Sequence, residues 1–279
     1  MKESKLIQLA SDFVNNSSEN YIAEENSDIE LKKNIRIFEE PIFAFGDVED
    51  DEFKRLKEEG VIGEHFKLPK EWLPKSKTVV SFFLKFNEDI RKPNAMNKNR
   101  PSNEWLIVRI EGHSLLDKLT IYLKNVLVEE GYGTLVPSLG EDFFSRKKPE
   151  EVKIKNNNKF LSFTSNWSER HISYVCGLGT FGLSKGIITK KGVAGRFCSL
   201  ITEADFKSTE REYRDIYEYC NKCGECITRC PVDAISFKKG KEHLPCCDFI
   251  DKVRSLHELR YGCGKCQVKV PCENGIPNK

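Results

Sequence analysis

Cys220, Cys223, Cys226 and Cys230, with Pro231 behind them, are the residues whose type and spacing most directly imply chemistry. Their C-x2-C-x2-C-x3-C-P pattern is the spacing that wraps iron–sulfur clusters. Three thiolates at three-residue steps can curl around one corner of a cubane while backbone N–H groups face its sulfurs. The fourth, ahead of a proline that stops a helix from running on, points away and ligates a different cluster. The motif therefore demands more cysteines downstream, and Cys246, Cys247, Cys263, Cys266 and Cys272 supply them. The spacing predicts two [4Fe–4S] clusters.

Crossing over assigns the ligands. Cys220, Cys223 and Cys226 hold cluster one with Cys272, and Cys230 joins Cys246, Cys263 and Cys266 on cluster two. Cys246 and Cys247 are adjacent and their side chains diverge, so one is spare; spacing does not choose between them. The chain has 11 cysteines, all at or beyond Cys176. A disulfide framework suits a short secreted domain, whereas Met1 to Ala10 lacks the apolar core of a secretory signal. Zinc is the stronger rival, because paired C-x2-C units also build four-cysteine sites. A zinc ribbon needs only two cysteines per knuckle, and here a third follows at the same step with Cys-Pro after it. Cys176 and Cys198 lie in apolar surroundings and read as small buried hydrophobes.

The other chemically suggestive segment runs from Asn166 to Gly182. Asn166 followed three residues later by Glu169 is a helix-start pattern, and the helix is expected to run to Cys176 and stop at Gly177. Gly177, Gly179 and Gly182 then allow positive φ and close backbone approach. Such a loop suits a flat ligand or a phosphate, and equally a capped helix with a tight turn. Arg170 and His171, at the start of the helix, can orient a substrate or move a proton, since histidine titrates near neutral pH; a structural histidine is the equal alternative.

These residues need a body to position them. The 279 residues, with 45 basic and 43 acidic side chains and a net charge of +2, suit one large domain plus a smaller module. A dedicated nucleic-acid binder would show a strong basic excess. No apolar run approaches the ~20 residues that span a bilayer, and no twin-arginine leader is present, so the expected location is the cytoplasm. Leu6, Leu9, Ala10 and Phe13 predict a helix over 4–14. Acids at the start and Gly60 at the end predict another over 50–59. Leu115, Leu119, Leu123, Val126 and Leu127 predict an amphipathic helix over 114–130. Strands are expected at 41–45, 78–84, 133–137, 186–189 and 194–202. The polar stretch Asn87 to Asn103 reads as a long loop, either a lid or a segment without fixed structure, and Lys153 to Lys159 as a solvated loop. The pattern gives an N-terminal helix and linker (1–26), an α/β (α+β) body for cofactor and substrate (27–208) and a two-cluster module (209–279).

Glu169 to Gly182, the strands after it and the cysteine module resemble the epoxyqueuosine reductases and their reductive dehalogenase relatives. There a Glu-containing helix leads into Ala-Gly-Leu-Gly-Trp-x-Gly and a two-cluster ferredoxin-like module follows. Tyr261-Gly262-Cys263-x2-Cys266-Gln267 is similar to that family's second cluster motif. The resemblance covers residues 160–279 well and the N-terminal half in outline. It implies a nitroreductase-like body that binds cobalamin base-off, with Arg170 and Gly177, Leu178, Gly179, Thr180, Phe181 and Gly182 holding the cofactor. Two departures stand out. Phe163-Thr164 replaces the family's Asp-Ser, whose Asp is the presumed proton donor, leaving Glu169, His171 or Tyr174 for that role. Five residues also separate Cys266 from Cys272, with proline before the last cysteine rather than after it. The implied activity is reduction of a small molecule or modified nucleoside, with electrons from a ferredoxin or flavodoxin. A tRNA substrate fits the near-neutral charge poorly. An electron-transfer protein without a catalytic cofactor and a flavin-dependent reductase are the alternatives.

Overall fold

The computed structural model describes residues 1–22, 31, 34–147, 150–154, 157–257 and 260–278. The expected boundary at 26–27 lies outside them. The architecture is mixed α/β, built on a four-stranded antiparallel sheet. Its strands are β1 (Ile42–Asp47), β2 (Thr78–Lys85), β3 (Thr134–Leu135) and β4 (Gly195–Thr202), in the spatial order β1-β2-β4-β3. β2 reads Thr-Val-Val-Ser-Phe-Phe-Leu-Lys and is buried along its whole length. Such a continuous β-branched and aromatic run suits a strand covered on both faces.

Both faces are indeed covered. Val80, Phe82 and Leu84 pack with Leu6, Ala10 and Val14 of α1 (Glu3–Asn16) and with Leu115, Leu119 and Leu123 of a long helix, Glu111–Glu129. Val79 and Phe83 point the other way, against Trp167 and against Ile172 and Val175 of the helix Glu169–Cys176. We call these helices α3 and α4 below, α2 being Glu88–Met96. Four-residue spacing of the leucines gives α3 the apolar stripe that its burial requires. Cys176 and Cys198 are both buried, as their surroundings imply.

Three segments depart from expectation. The supposed long loop at 87–103 contains α2, whose start is fixed by the Asn87 side chain accepting from the Asp89 N–H. Two of its polar residues, Arg91 and Asn94, are buried rather than solvated. Arg91 donates from Nη1 to Glu273 Oε1 and Asn274 Oδ1, 2.6 Å each, and from Nε to the Phe86 carbonyl. Asn94 donates to the Cys263 carbonyl and accepts from Lys265 Nζ at 2.8 Å. Arg91 and Asn94, which imitate a solvated loop in the sequence, are thus a clamp on the C-terminal segment. The stretch read as a loop at 153–159 lies in a hairpin, Glu150–Ile154 paired with Asn157–Leu161. The helix expected over 50–59 is regular only over Asp51–Arg55.

The cysteine-rich segment contributes one long helix, α5 (His243–Leu256), and otherwise short turns and ladders. Arg260 makes a two-pronged ion pair with Glu111 at the start of α3, and Arg229 donates to the Ala95 carbonyl. Gly264 has a φ of +64°, and a Cβ there would lie 1.9 Å from the Trp105 ring. The left-handed backbone alone costs a side chain on the order of 1 kcal/mol, and the indole cannot retreat from a core. We expect Gly264→Ala to melt at a lower temperature and to retain less iron after anaerobic purification. Wild-type iron and melting temperature in that variant would refute this account of the docking.

Candidate iron–sulfur and catalytic site

The thiols fall into two neighbouring groups. Cys220, Cys223, Cys226 and Cys272 line one hollow, closed on its other side by Gly182, Ser184, Ile188 and Val270. Pro271 opens a single 3-10 turn, Pro271–Glu273, that presents Cys272, and the Cys272 carbonyl accepts from the Val193 N–H at 3.0 Å. That turn is how the altered spacing after Cys266 is accommodated. In the second group, Cys230 and Cys266 pack with Cys246, and Cys263 lies within electrostatic reach of Cys246 and Cys266. Cys230 Sγ accepts from the Ala234 N–H at 3.3 Å. Cys226 packs with both groups, so they share a wall.

Cys246 and Cys247 separate as adjacent helical residues must. Cys246 is near Cys230, Cys266 and the Lys241 amine. Cys247 turns along α5 toward Asp251, with Sγ 4.0 Å from Oδ2. The geometry therefore favours Cys246 as the ligand. Burial and mutual crowding push the thiols of Cys226, Cys263 and Cys272 up to about 12. Gathering four of them as thiolates needs cationic charge between them, which is what iron supplies. Among the described residues no three His, Cys, Asp or Glu side chains converge as ligands of a single ion. We expect Cys247→Ser to keep its iron and Cys246→Ser to lose part of it; equal iron contents would refute the assignment.

α4 begins at Glu169, as its acid signals, but Asn166 does not cap it. The Ser168 side chain makes no cap either. Asn166 is buried, donating to the Asp142 carbonyl and accepting from the Phe144 N–H, so it pins an adjacent turn instead. Gly177 ends the helix in the left-handed conformation. Beyond it, Gly179–Phe181 forms a buried two-stranded ladder with Ile187–Thr189. A Cβ on Gly179 would sit 2.0 Å from the Ile188 carbonyl oxygen. Leu178 joins the core beside Trp167, and Thr180 Oγ1 accepts from the Tyr219 N–H. The closeness these residues permit is thus spent within the protein, with Gly182 facing the first group of cysteines.

The start of α4 borders a cavity that protein crowds but that stays open to solvent. Arg170 is surrounded by protein yet still reached by solvent, and it lies within electrostatic reach of Cys246, Cys266 and Arg109. His171 shares its Nδ1 hydrogen with, or accepts from, Ser168 Oγ at 2.8 Å and faces the Phe181 ring at 5.0 Å. Burial and the Arg170 charge push its pKa down to about 4, so it is neutral. Glu169 Oε2 accepts from Ser199 Oγ at 2.7 Å, while Oε1 is buried without a hydrogen-bond partner. Burial raises its pKa to about 8, only partly offset by Ser199, so it is protonated at neutral pH. Tyr174 faces a different set of charges, Glu52, Arg55, Arg211 and Asp215.

Several residues of this cavity escaped the sequence. Arg109 follows a short helix, Asn103–Ile107, and Arg196 sits in β4 with its guanidinium 5.9 Å from the Phe86 ring. Lys241 lies near Cys246, Cys266 and Arg170. His243 stacks on Phe163 at 4.9 Å, and Phe163 holds a positive φ of 51°. The only available signal was an arginine inside a strand that is otherwise apolar.

Residues 213–236 match the family described as 4Fe-4S binding domain. The segment is an iron–sulfur segment. No curated protein matches the chain in sequence. Among solved structures, selenomethionine-labelled epoxyqueuosine reductase superposes with a TM-score of 0.51 at 17% identity, over 99% of this chain and 67% of that one. Epoxyqueuosine reductase with a tRNA-Tyr epoxyqueuosine-modified stem loop gives 0.50 at 18%, over 99% and 66%. A catabolic reductive dehalogenase gives 0.53 at 11%, over 98% and 37%. This chain shares their fold. It spans about two thirds of the length of the reductases and much less of the dehalogenase. No described helix is long and apolar enough to cross a membrane.

Glu169 gives the site a pH signature. Below about 4.5 its carboxyl is neutral whether the chain is folded or unfolded. Between there and about 8 the unfolded chain releases the proton and the folded chain keeps it, so burying Glu169 costs progressively more as pH rises. The cost levels off above about 8. We expect Glu169→Gln, which cannot ionise, to gain melting temperature relative to wild type across that window. A difference that does not change with pH would refute the buried neutral acid.

Proposed function

We propose that this protein is a reductase in which two [4Fe–4S] clusters pass electrons singly to a cofactor and substrate in the cavity at the start of α4. Cluster one takes Cys220, Cys223, Cys226 and Cys272; cluster two takes Cys230, Cys246, Cys263 and Cys266. The residues 209–279 form a ferredoxin-like module on a nitroreductase-like body. The observation that carries this reading is that Cys246 and Cys266 lie within electrostatic reach of Arg170, beside the protonated Glu169 and neutral His171. Electrons delivered at cluster two would therefore arrive at the helix turn that carries both groups, with the Glu169 carboxyl turned to Ser199 in the sheet. The donor is a ferredoxin or flavodoxin, meeting the Cys223 side of cluster one, where that thiol is exposed.

The shared fold supports cobalamin as the cofactor. The lining suits it, since Arg170 and Lys241 offer donors to peripheral amides, and Phe181 and Phe163 offer flat apolar contact. Bound cobalamin would supply a strongly reducing metal centre. The protein groups do the rest. Glu169 gives up a proton, as an acid whose pKa lies near the working pH does best. His171, unprotonated and held by Ser168, orients the reacting group rather than protonating it. Tyr174 is the weaker candidate because it faces other charges. The substrate is a small molecule; with 45 basic against 43 acidic residues, a tRNA is disfavoured.

Anaerobic purification with cobalamin supplied, followed by metal analysis and an absorption spectrum, tests the reading. About eight irons per chain, as two cubanes require, with stoichiometric cobalt is the expected result. The same iron with neither cobalt nor flavin would overturn the reductase and leave an electron carrier. Zinc in place of iron would overturn the cluster assignment itself.

A further inference from the structure

We propose that Arg109 and Arg196, with Arg170 beside them, form a binding site for a single small oxyanion, a carboxylate or phosphate carried into the cavity by its ligand. The inference rests on the cavity described above and deepens its proposed use. Three guanidinium groups reach it from three separate elements, the turn after Asn103–Ile107, β4 and α4. Each is within electrostatic reach of another, Arg196 of both Arg109 and Arg170. Among the described residues none of the three forms an ion pair with a carboxylate. Asp117, on the facing helix α3, is directed at His113, 3.9 Å away.

Among the described residues no carboxylate compensates this charge. Burial and mutual repulsion both act against the charged form of Arg196, and its Nε is buried without a hydrogen-bond partner. Arg109 spends one interaction on Tyr261, its guanidinium 4.8 Å from that ring, and Arg254 stacks on the same ring at 4.3 Å. Those contacts orient the cations without neutralising them. The second cysteine group accounts for part of the positive charge, because Arg170 and Lys241 feel Cys246 and Cys266. Arg109 and Arg196 feel no cysteine. Their planar donors are left for an oxyanion, which guanidinium groups bind with two parallel hydrogen bonds.

The anion has two available sources, the substrate or the phosphodiester of the cofactor. Inorganic phosphate is the probe. It is titrated calorimetrically into anaerobic, full-length, iron-loaded protein, against chloride at equal ionic strength. We expect one phosphate per chain, and binding weakened by at least about tenfold in both Arg109→Gln and Arg196→Gln, since a lost charged hydrogen bond costs that much. Iron content reports whether each variant has folded. Phosphate bound no better than chloride would overturn the site, as would iron-replete variants that bind it like wild type. Phosphate binding abolished by added cobalamin would assign the anion to the cofactor, and binding unaffected by it would assign the anion to the substrate. A protein that binds phosphate but purifies with neither cobalt nor flavin would sink the reductase and leave the oxyanion site standing.

Discussion

Thiolate crowding is the constraint on which the rest of this structure depends. Eight cysteines in two adjacent groups cannot ionise together inside a protein, where each negative charge raises the cost of the next. Iron removes that cost, so binding energy at the metal becomes folding energy for the segment around it. Regular structure in that segment is accordingly sparse: short ladders, single 3-10 turns and one long helix. What the segment lacks in its own core it draws from the body. Arg91, Asn94 and Lys265 bond across the boundary, and Lys265, fully buried between Cys263 and Cys266, gives its amine to the Asn94 carbonyl at 2.6 Å.

The distribution of positive charge distinguishes the two cysteine groups. The first is walled by Ile188, Val193 and Val270. The second has Lys241, Arg170 and Lys265 within reach. Fixed cations stabilise the extra negative charge of a reduced cluster and raise its potential, and burial strengthens the effect. In the proposed pair of clusters, electrons entering at the solvent side would therefore run downhill toward the cavity. The same charges would draw an anionic ligand to the place where the electrons arrive.

The sequence carried the cysteine chemistry and the central sheet because both are written in local patterns. Three-residue steps of cysteine specify a cubane corner, and Thr78 to Lys85 can hardly be anything but a covered strand. The failures share one cause. At 87–103 the asparagines and charges look solvated, yet Arg91 and Asn94 are buried against residues that lie more than 160 positions away in the chain. Asn166 has a capping residue's identity and a capping residue's spacing to Glu169, and spends both amide groups on residues 142 and 144. The glycines after α4 look open to a ligand, yet Thr209 sits against Gly177 and Ile188 against Gly179 and Gly182. In each case a short polar or small side chain serves a distant partner, and single-sequence periodicity has no access to distant partners.

The environments of Glu169 and His171 give the start of α4 its chemical character. Neighbours on one helix, they are driven in opposite directions by the same burial. The acid is held protonated up to about 8 and the base is held neutral down to about 4. Over the range between, the pair carries one transferable proton and one acceptor, which is the condition for directed proton movement. Phe163 occupies the position where the resembling family has its acid, and it is stacked on His243 in a strained backbone conformation. A bulky residue keeps a positive φ only where its surroundings hold it there. In the proposed reductase, proton supply would then fall to the helix itself, where Glu169 is anchored by Ser199 in the sheet and does not move with a loop.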